Sequence, residues 1–222
     1  MFVYKEITPL TQNDLFIVLN SENIGFDYPI HYHSAYELTL ILNSSGNRII
    51  GDSIEKYNFT DLVLIGPEIY HKWDDDDMPP EKKNKAQVIT IQFSIDLFDQ
   101  SLFSKDSFFL IHKLLKDSQR GLVFTDETFK NISLKMKMLV NSQGFSASIL
   151  FLNILHLLSI SNYKRQLSGE EFATIIEDEK SDRATEMYKY ILAHSKDSKL
   201  RITDLAHEFN MSPSAFGHFF KK

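Results

Sequence analysis

Four side chains near the amino terminus have the types and the spacing of a divalent-metal site. His31, His33 and Glu37 stand in the stretch HYHSAYE, and His71 follows the Gly-Pro pair at 66–67. Alternate residues of a strand share a face, so His31 and His33 project together and Glu37 keeps the same parity. His71 can reach them from a neighbouring strand. Imidazoles with a carboxylate suit a transition ion such as iron, manganese, nickel or zinc.

The same cluster also fits a site for an organic effector. Clustered His and Glu side chains mark binding sites in general, so they can line a cavity for a small molecule. Glu37 can equally pair with His33 within a buried polar network. The sequence therefore requires no cofactor, and a divalent transition metal remains an alternative. Aromatic walls are expected from Trp73 and from three further residues, Tyr28, Tyr36 and Phe93.

The elements that must hold these side chains are strands. Before residue 94, short runs rich in Val, Ile, Leu, Phe and Tyr alternate with turn residues, which predicts an antiparallel sandwich or barrel. The runs are FIVLN, YELTLIL, NRIIG, SIEKY, DLVLIG and QVITIQF. We expect a hairpin turn at NSSGN (43–47) and a solvated loop at 73–85.

After residue 94 the hydrophobic period becomes helical. One helical stretch covers 95–119 and ends near Gly121, a second follows Thr125, and a third covers 146–167. The third is apolar on more than one face, so it must be buried. An intramolecular core would bury it, and so would a partner subunit. We expect a homodimer formed through helices within 125–165.

The last residues have the pattern of a helix-turn-helix. A short first helix runs from about Thr203 to Phe209, with Leu205 on its apolar face and the small Ala206 where another helix can cross closely. Ser212 is a good N-cap, and Pro213 is a good first residue for the second helix. Such a second helix can enter the major groove of DNA.

The outward face of that second helix carries groups suited to DNA. Ser214 and His218 lie four residues apart on one face, where hydroxyl and imidazole can bond to base edges. Lys221 and Lys222 suit phosphates. Residues 182–222 contain seven Lys or Arg and five Asp or Glu, whereas the chain as a whole has 24 and 30. The predicted DNA-binding residues are Ser212, Ser214, Gly217, His218, Lys221 and Lys222.

This tail resembles the first helix-turn-helix of AraC-type transcription regulators. The matching residues are Leu205, Ala206, Met211, Ser212, Pro213, Ser214, Phe216, Phe220, Lys221 and Lys222. The stretches HYHSAYELTLILNSSG, DLVLIGPEIYHKW and QVITIQF are similar to the family's sensory barrel, and the His and Glu spacing is similar to the two cupin motifs. The resemblance implies an α+β fold, with a double-stranded β-helix barrel of cupin type, all-α dimerisation helices and a partial helix-turn-helix domain.

The implied domains are an effector-sensing barrel at 1–94, a helical dimerisation region at 95–166, a linker at 167–181 and a helix-turn-helix at 182–222. Family members carry two helix-turn-helix units, and this sequence holds the first, so promoter DNA is the expected partner of the full-length protein. The implied function is sequence-specific transcription regulation by a small-molecule effector. The alternative is a metal-dependent cupin enzyme, an oxygenase or isomerase, that uses His31, His33, Glu37 and His71.

Several classes of protein do not fit the sequence. Cysteine is absent from the 222 residues, so no thiolate can serve as nucleophile or ligand, which suits a reducing compartment. We find no Ser/His/Asp order and no phosphate-cradling glycine loop, and we expect no enzyme. Neither a signal peptide nor an apolar span is apparent, so we expect a cytoplasmic protein that binds no membrane.

Overall fold

The computed structural model describes residues 4–23, 28–75, 85–98, 100–169, 190–191, 194, 200–209 and 212–213. Within them the fold is α+β, with two β-sheets and five α-helices. The strands are β1 (Tyr4–Lys5), β2 (Ile17–Asn23), β3 (His31–Tyr32), β4 (Tyr36–Leu42), β5 (Gly46–Ile50), β6 (Ser53–Tyr57), β7 (Thr60–Ile65), β8 (His71–Asp75), β9 (Ala86–Phe93), β10 (Leu122–Phe124) and β11 (Lys164–Gln166). The helices are α1 (Gln100–Phe103), α2 (Phe109–Asp117), α3 (Asp126–Val140), α4 (Gly144–Ser159) and α5 (Ile202–Glu208).

The strands pair into two sheets that face each other. The five-stranded sheet has the order β1-β3-β8-β5-β6, and the six-stranded sheet has the order β11-β10-β7-β4-β9-β2. Apolar side chains of both sheets, such as Ile50 and Val63, pack into one shared cluster. No strand in the described ranges belongs to both sheets. The fold is therefore a sandwich of two open sheets, and the closed cupin barrel is not confirmed.

Side chains alternate between the two faces of the six-stranded sheet, so this sheet contributes to two hydrophobic cores. On β4, Leu38 and Leu40 belong to a large cluster with the helices, whereas Ile41 packs toward the five-stranded sheet. Successive side chains of a strand point to opposite faces, so one strand supplies both cores. The helix-facing core also holds Ile89 and Ile91. The opposite face is free to carry the polar residues of a site.

The helices α3 and α4 cover the six-stranded sheet. On α3 the buried residues include Ile132, Met136 and Leu139, as the helical spacing after Thr125 predicts. The buried residues of α4 include Phe151, Ile154, Leu155 and Leu158. These side chains join the same cluster as the strand residues, so the helices and the sheet share one core.

Two helical predictions are wrong in their extent. The stretch 95–119 is broken into α1 and α2 by three 3-10 turns, Ile95–Leu97, Asp106–Phe108 and Ser118–Arg120. The stretch 146–167 is not one helix, because α4 ends at Ser159 and β11 follows. The Lys164 ammonium donates to the carbonyl of Ser159 at 2.9 Å, which favours an end to the helix there. After the end of α4, residues 164–166 pair with the open edge of β10.

Gly121 turns the chain from the last 3-10 turn into β10. Its φ is 61°, a left-handed conformation that glycine adopts without steric cost. A Cβ at this position would lie 2.5 Å from Cγ2 of Ile50, so the close approach of β10 to the five-stranded sheet also excludes a side chain. The predicted helix end near Gly121 is confirmed.

The strands β3 and β8 lie outside the six apolar runs, although the predicted positions of His31 and His71 already implied strands there. Three residues assigned to the loop at 73–85, Trp73, Asp74 and Asp75, belong to β8, and Trp73 is buried. The rest of that loop, 76–84, lies outside the described residues. The short polar strands carry little hydrophobic signal of their own, and they form because β5 and β3 pair with β8 on its two sides.

In the tail, α5 coincides with the first helix of the predicted helix-turn-helix. Its Leu205 and Ala206 are buried in a small cluster that also includes Ile191 and Leu200. Before α5, the predicted domain at 182–222 is described only at Tyr190, Ile191, His194, Leu200 and Arg201. None of the helices in the described ranges combines the length and the hydrophobicity needed to cross a bilayer.

Candidate functional site

The structure brings the three predicted histidines together between the two sheets. His31 on β3 lies opposite His71 on β8, and their ring centroids are 4.1 Å apart. The ring of His33, just after β3, is 5.0 Å from that of His71. One ring nitrogen from each histidine can be chosen such that all three lie within 4.8 Å of one another. All three side chains are buried.

Each imidazole is oriented by a hydrogen bond to a backbone carbonyl. The Nδ1 atoms of His31, His33 and His71 lie 3.1, 3.0 and 2.8 Å from the carbonyl oxygens of Pro29, Ala35 and Ile69. A carbonyl oxygen can only accept, so each Nδ1 carries the hydrogen. This leaves Nε2 of each ring to face the cluster. Metal-binding histidines in proteins are commonly oriented in this way.

Glu37, on β4 of the opposite sheet, lies against this cluster. Its Oε2 is 3.0 Å from Nε2 of His33 and accepts a hydrogen bond from Nε2 of Gln92 at 3.0 Å. Its Oε1 accepts from the hydroxyl of Thr39 at 2.7 Å and lies 3.7 Å from Nε2 of His71. The carboxylate is therefore held on both oxygens, and it faces two of the three imidazoles.

Charge in the cluster is carried by His33 and Glu37. Burial acts to raise the pKa of Glu37, but the hydrogen bond from His33 and the nearby imidazoles lower it well below the ordinary value. Burial acts to lower the pKa of His33, but the hydrogen bond and the charge of Glu37 raise it. Both nitrogens of His33 face acceptors, so this ring is an imidazolium paired with the carboxylate.

The other two imidazoles are neutral. Burial lowers the pKa of His71 to about 3, and the neighbouring imidazoles contribute to the shift. Burial also lowers the pKa of His31. Two buried atoms beside Glu37, Nε2 of His71 and Oε1 of Gln92, have no hydrogen-bond partner among the described residues. Both are acceptors, so the arrangement favours a guest that brings positive charge or hydrogen-bond donors.

A cavity of about 290 Å³ adjoins the cluster between the sheets. It is lined by Glu6, Leu19, Ser21, Tyr28, His31, Glu37, Thr39, Ile41, Lys72, Trp73, Val88, Thr90 and Gln92. Of the predicted aromatic walls, Trp73 and Tyr28 line it. Tyr36 and Phe93 do not, because they stack on each other in the helix-facing core with centroids 5.1 Å apart.

A chain of hydrogen-bonded charges connects the cavity wall to β11. The indole N–H of Trp73 donates to Asp61 at 2.8 Å, and the other oxygen of Asp61 accepts from Arg48 at 2.5 Å. Arg48 also donates to Glu55 at 2.9 Å. Arg165 of β11 donates to both oxygens of Glu55 at 2.8 Å. The buried Arg48 is thus paired with two carboxylates, as a buried cation must be.

Sequence reasoning missed several residues that complete the site. Thr39 and Gln92 bond to Glu37, and Thr90 bonds to Thr39 at 3.2 Å. The sequence pattern could have identified them, because each is a polar residue at an inward position of an apolar strand. Gln92 also lies directly opposite Glu37 in the sheet. Glu6 also faces the cluster, and nothing in the sequence signals it, because β1 is placed there by pairing with β3.

The structure describes only part of the predicted DNA-binding surface. Pro213 has a helical backbone and Ser212 does not, as expected for a helix that begins at the proline. The other predicted DNA-binding residues, Ser214, Gly217, His218, Lys221 and Lys222, lie outside the described residues.

Comparison with known proteins gives a structural likeness only. No family model and no curated protein matches the sequence. Among solved structures, the chain is similar to ToxT from Vibrio cholerae at 1.65 Å, with 12% identity, a TM-score of 0.43 and 94% of each chain covered. A structure of ToxT from strain SCE256 with a bound unsaturated fatty acid gives 12% identity and a TM-score of 0.41, covering 94% of this chain and 74% of that one. A likeness at this level assigns no function.

Proposed function

We propose that this chain belongs to an AraC-type, sequence-specific transcription regulator that responds to a small-molecule effector, and that it is not an enzyme. The observation that carries the proposal is the presence, in one chain, of a sandwich with a cavity beside buried polar groups and a tail with helix-turn-helix features. In that tail Leu205 and Ala206 of α5 are buried, and a helical backbone starts at Pro213 after Ser212.

The effector binds in the cavity beside the histidine cluster. At about 290 Å³ the cavity lies at the lower end of small-molecule sites. Its wall combines apolar side chains such as Val88 and Ile41 with a few convergent polar groups. The unpartnered acceptor of Gln92, which lines the cavity, favours an effector that donates hydrogen bonds, and Trp73 offers an aromatic surface.

The effector acts on DNA binding by shifting the population of two arrangements of the protein. It can do so only if its affinity differs between the two arrangements. The two DNA-binding domains of a homodimer would contact two half-sites at once. This raises the affinity above that of one domain without any new type of contact. Exposed apolar residues along α4, such as Phe145 and Ile149, support a dimer.

Binding-site selection with the full-length protein tests the proposal. We expect enrichment of one DNA motif from a random pool. Substitution of His218 or Ser214 by alanine should relax base preference at single positions by about 1–3 kcal/mol. Lys221→Ala should weaken binding to all sequences and reduce the salt dependence. Lys56→Ala, on a strand of the sandwich, is the control. A protein that prefers no DNA over random competitor at moderate salt contradicts the proposal.

The cluster also meets the requirements of a divalent transition metal, and we propose such an ion as its occupant. Two of the three Nε2 atoms belong to neutral rings, and the third shares a proton with Glu37 that a metal would displace. The unpartnered Nε2 of His71 is an available ligand atom. His31, His33, His71 and Glu37 would hold the ion, which would offer a positive centre to an anionic or chelating effector.

The second candidate function is a metal-dependent cupin enzyme, an oxygenase or isomerase. The observation in its favour is the same group of three imidazoles, with the Glu37 carboxylate against two of them, beside a cavity. Metal analysis of the purified protein, followed by an oxygen-uptake screen, separates the two candidates. Bound metal together with oxygen consumption would favour the enzyme, whereas motif-specific DNA binding without turnover would favour the regulator.

A further inference from the structure

Glu6 places a second carboxylate at the histidine cluster. It directly follows β1, whose Tyr4 and Lys5 pair in parallel with His31 and Tyr32 of β3. The backbone N–H of Glu6 continues this pairing by donating to the carbonyl of Tyr32 at 2.9 Å. The parallel pairing therefore determines where the Glu6 carboxylate lies, although no motif includes this residue.

One oxygen of Glu6 is held, and the other faces the cluster. The hydroxyl of Tyr28 donates to Oε1 at 3.2 Å, and Oε2 lies 3.7 Å from Nε2 of His31. The Nδ1 of His31 donates to the carbonyl of Pro29, so Nε2 is the ring nitrogen that faces the carboxylate. Glu6 therefore presents an oxygen, and His31 a nitrogen, toward the same point in the cluster.

The same arrangement occurs on the other side of the cluster. Oε1 of Glu37 lies 3.7 Å from Nε2 of His71, which has no hydrogen-bond partner in the described part of the chain. His33 joins the two sides, because one of its nitrogens lies within 4.8 Å of carboxylate oxygens of both Glu6 and Glu37. Ligand atoms bound to one ion at about 2.0–2.2 Å are roughly 3–4 Å apart, so modest side-chain movements would bring these atoms into one coordination sphere.

We propose that Glu6 is a ligand of the divalent transition ion held by the three histidines and Glu37, and that the ion thereby attaches the amino-terminal strand to the sandwich. The inference rests on the metal site of the proposed function. Glu6 raises the number of ligating side chains to five, one more than a structural zinc site uses. The set therefore favours ions that accept six ligands, such as manganese, iron, cobalt or nickel.

Cobalt(II) binding to the metal-free protein tests this role, with calorimetry and the visible absorption of the ion as readouts. Glu6→Gln removes the charge and keeps the shape. Glu68→Gln is the matched control, because Glu68 also contacts the amino-terminal strand, through Lys5 at 3.3 Å, but lies outside the cluster. Loss of even an outer-shell partner lowers metal affinity about 10- to 100-fold, so we expect Glu6→Gln to lose at least about 10-fold. Glu68→Gln should bind as the wild type does.

Hydrogen exchange of residues 4–6 gives a second readout that does not depend on affinity alone. Saturating cobalt should slow exchange in the wild type and in Glu68→Gln, but not in Glu6→Gln. Equal cobalt affinity and equal protection in Glu6→Gln and the wild type would overturn the inference. A wild-type protein that binds no cobalt would overturn it too, while effector-controlled DNA binding, measured in a separate assay, would stand.

Discussion

His71 is fully buried, and its inward-facing nitrogen has no hydrogen-bond partner within the described ranges. Burial lowers the pKa of this imidazole to about 3, from an ordinary value near 6.5. Above pH 6.5 both the folded and the unfolded chain hold it neutral. As the pH falls below 6.5, the unfolded chain takes up the proton and the folded chain does not. His71 therefore makes the metal-free protein less stable toward acid.

We expect His71 to contribute a loss of about 2 kcal/mol in the free energy of unfolding between pH 7 and pH 5. His33, whose pKa is raised, acts in the opposite direction. Urea unfolding of His71→Asn in the presence of a chelator should show a flatter pH dependence than the wild type. His207→Asn, at an exposed position on α5, is the control. A His71→Asn slope equal to that of the wild type would contradict the neutral assignment.

Most residues of the candidate site could be predicted from the sequence, but Glu6 could not. Strand parity places His31, His33 and Glu37 on facing surfaces, and the structure brings them together with His71. Parity could also have found Gln92, since it interrupts an apolar strand at an inward position. Glu6 could not be found, because its place depends on a parallel pairing between distant short strands that local sequence does not encode.

At the scale of elements, α4 carries apolar residues on two faces. One face belongs to the core, and the other exposes Phe145, Ile149 and Leu152, with the exposed Ile160 directly after the helix. The helix contains no Asp, Glu, Lys or Arg. An uncharged apolar stripe can meet an identical stripe without like-charge repulsion, so the proposed homodimer would place two copies of this stripe in contact.

We expect Ile149→Glu to convert the proposed dimer to a monomer, because it would bury a charge in the apolar contact. Ile54→Glu is a matched control, since Ile54 is similarly exposed (61% against 54%) but lies on β6. Sedimentation equilibrium of the two variants and the wild type gives the oligomeric state. A monomeric wild type, or an Ile149→Glu variant as dimeric as the control, would contradict the predicted interface.

The apolar strands and α3 could be predicted from the sequence, whereas β11 could not. All six apolar runs are strands, and the long amphipathic pattern after Thr125 is α3, because hydrophobic periodicity reports burial directly. The strand β11 consists of Lys164, Arg165 and Gln166, which have no strand pattern. It forms because β10 offers an edge and Arg165 reaches Glu55. Tertiary pairing of this kind overrides local preference.

At the scale of the whole molecule, the six-stranded sheet separates two tasks. Its helix-facing side holds large apolar residues such as Leu38 and Ile91, and its other side presents Glu37, Thr39 and Gln92 to the cavity. Substitutions on the first side should act on stability, where loss of a buried Leu costs about 2–5 kcal/mol. Polar substitutions on the second side should act mainly on ligand binding.

The helices α3 and α4 form the connection between β10 and β11. These two strands are adjacent in the sheet, and Phe124 of β10 is paired with Lys164 of β11. Closing a long loop costs entropy before the strands gain their contacts, and a helical hairpin formed first would shorten the effective loop. The two helices should therefore associate early during refolding, and the sheet edge should close late. In stopped-flow experiments, Ile132→Val should slow refolding, whereas Val123→Ala should chiefly accelerate unfolding; the reverse would mean that the edge nucleates the fold.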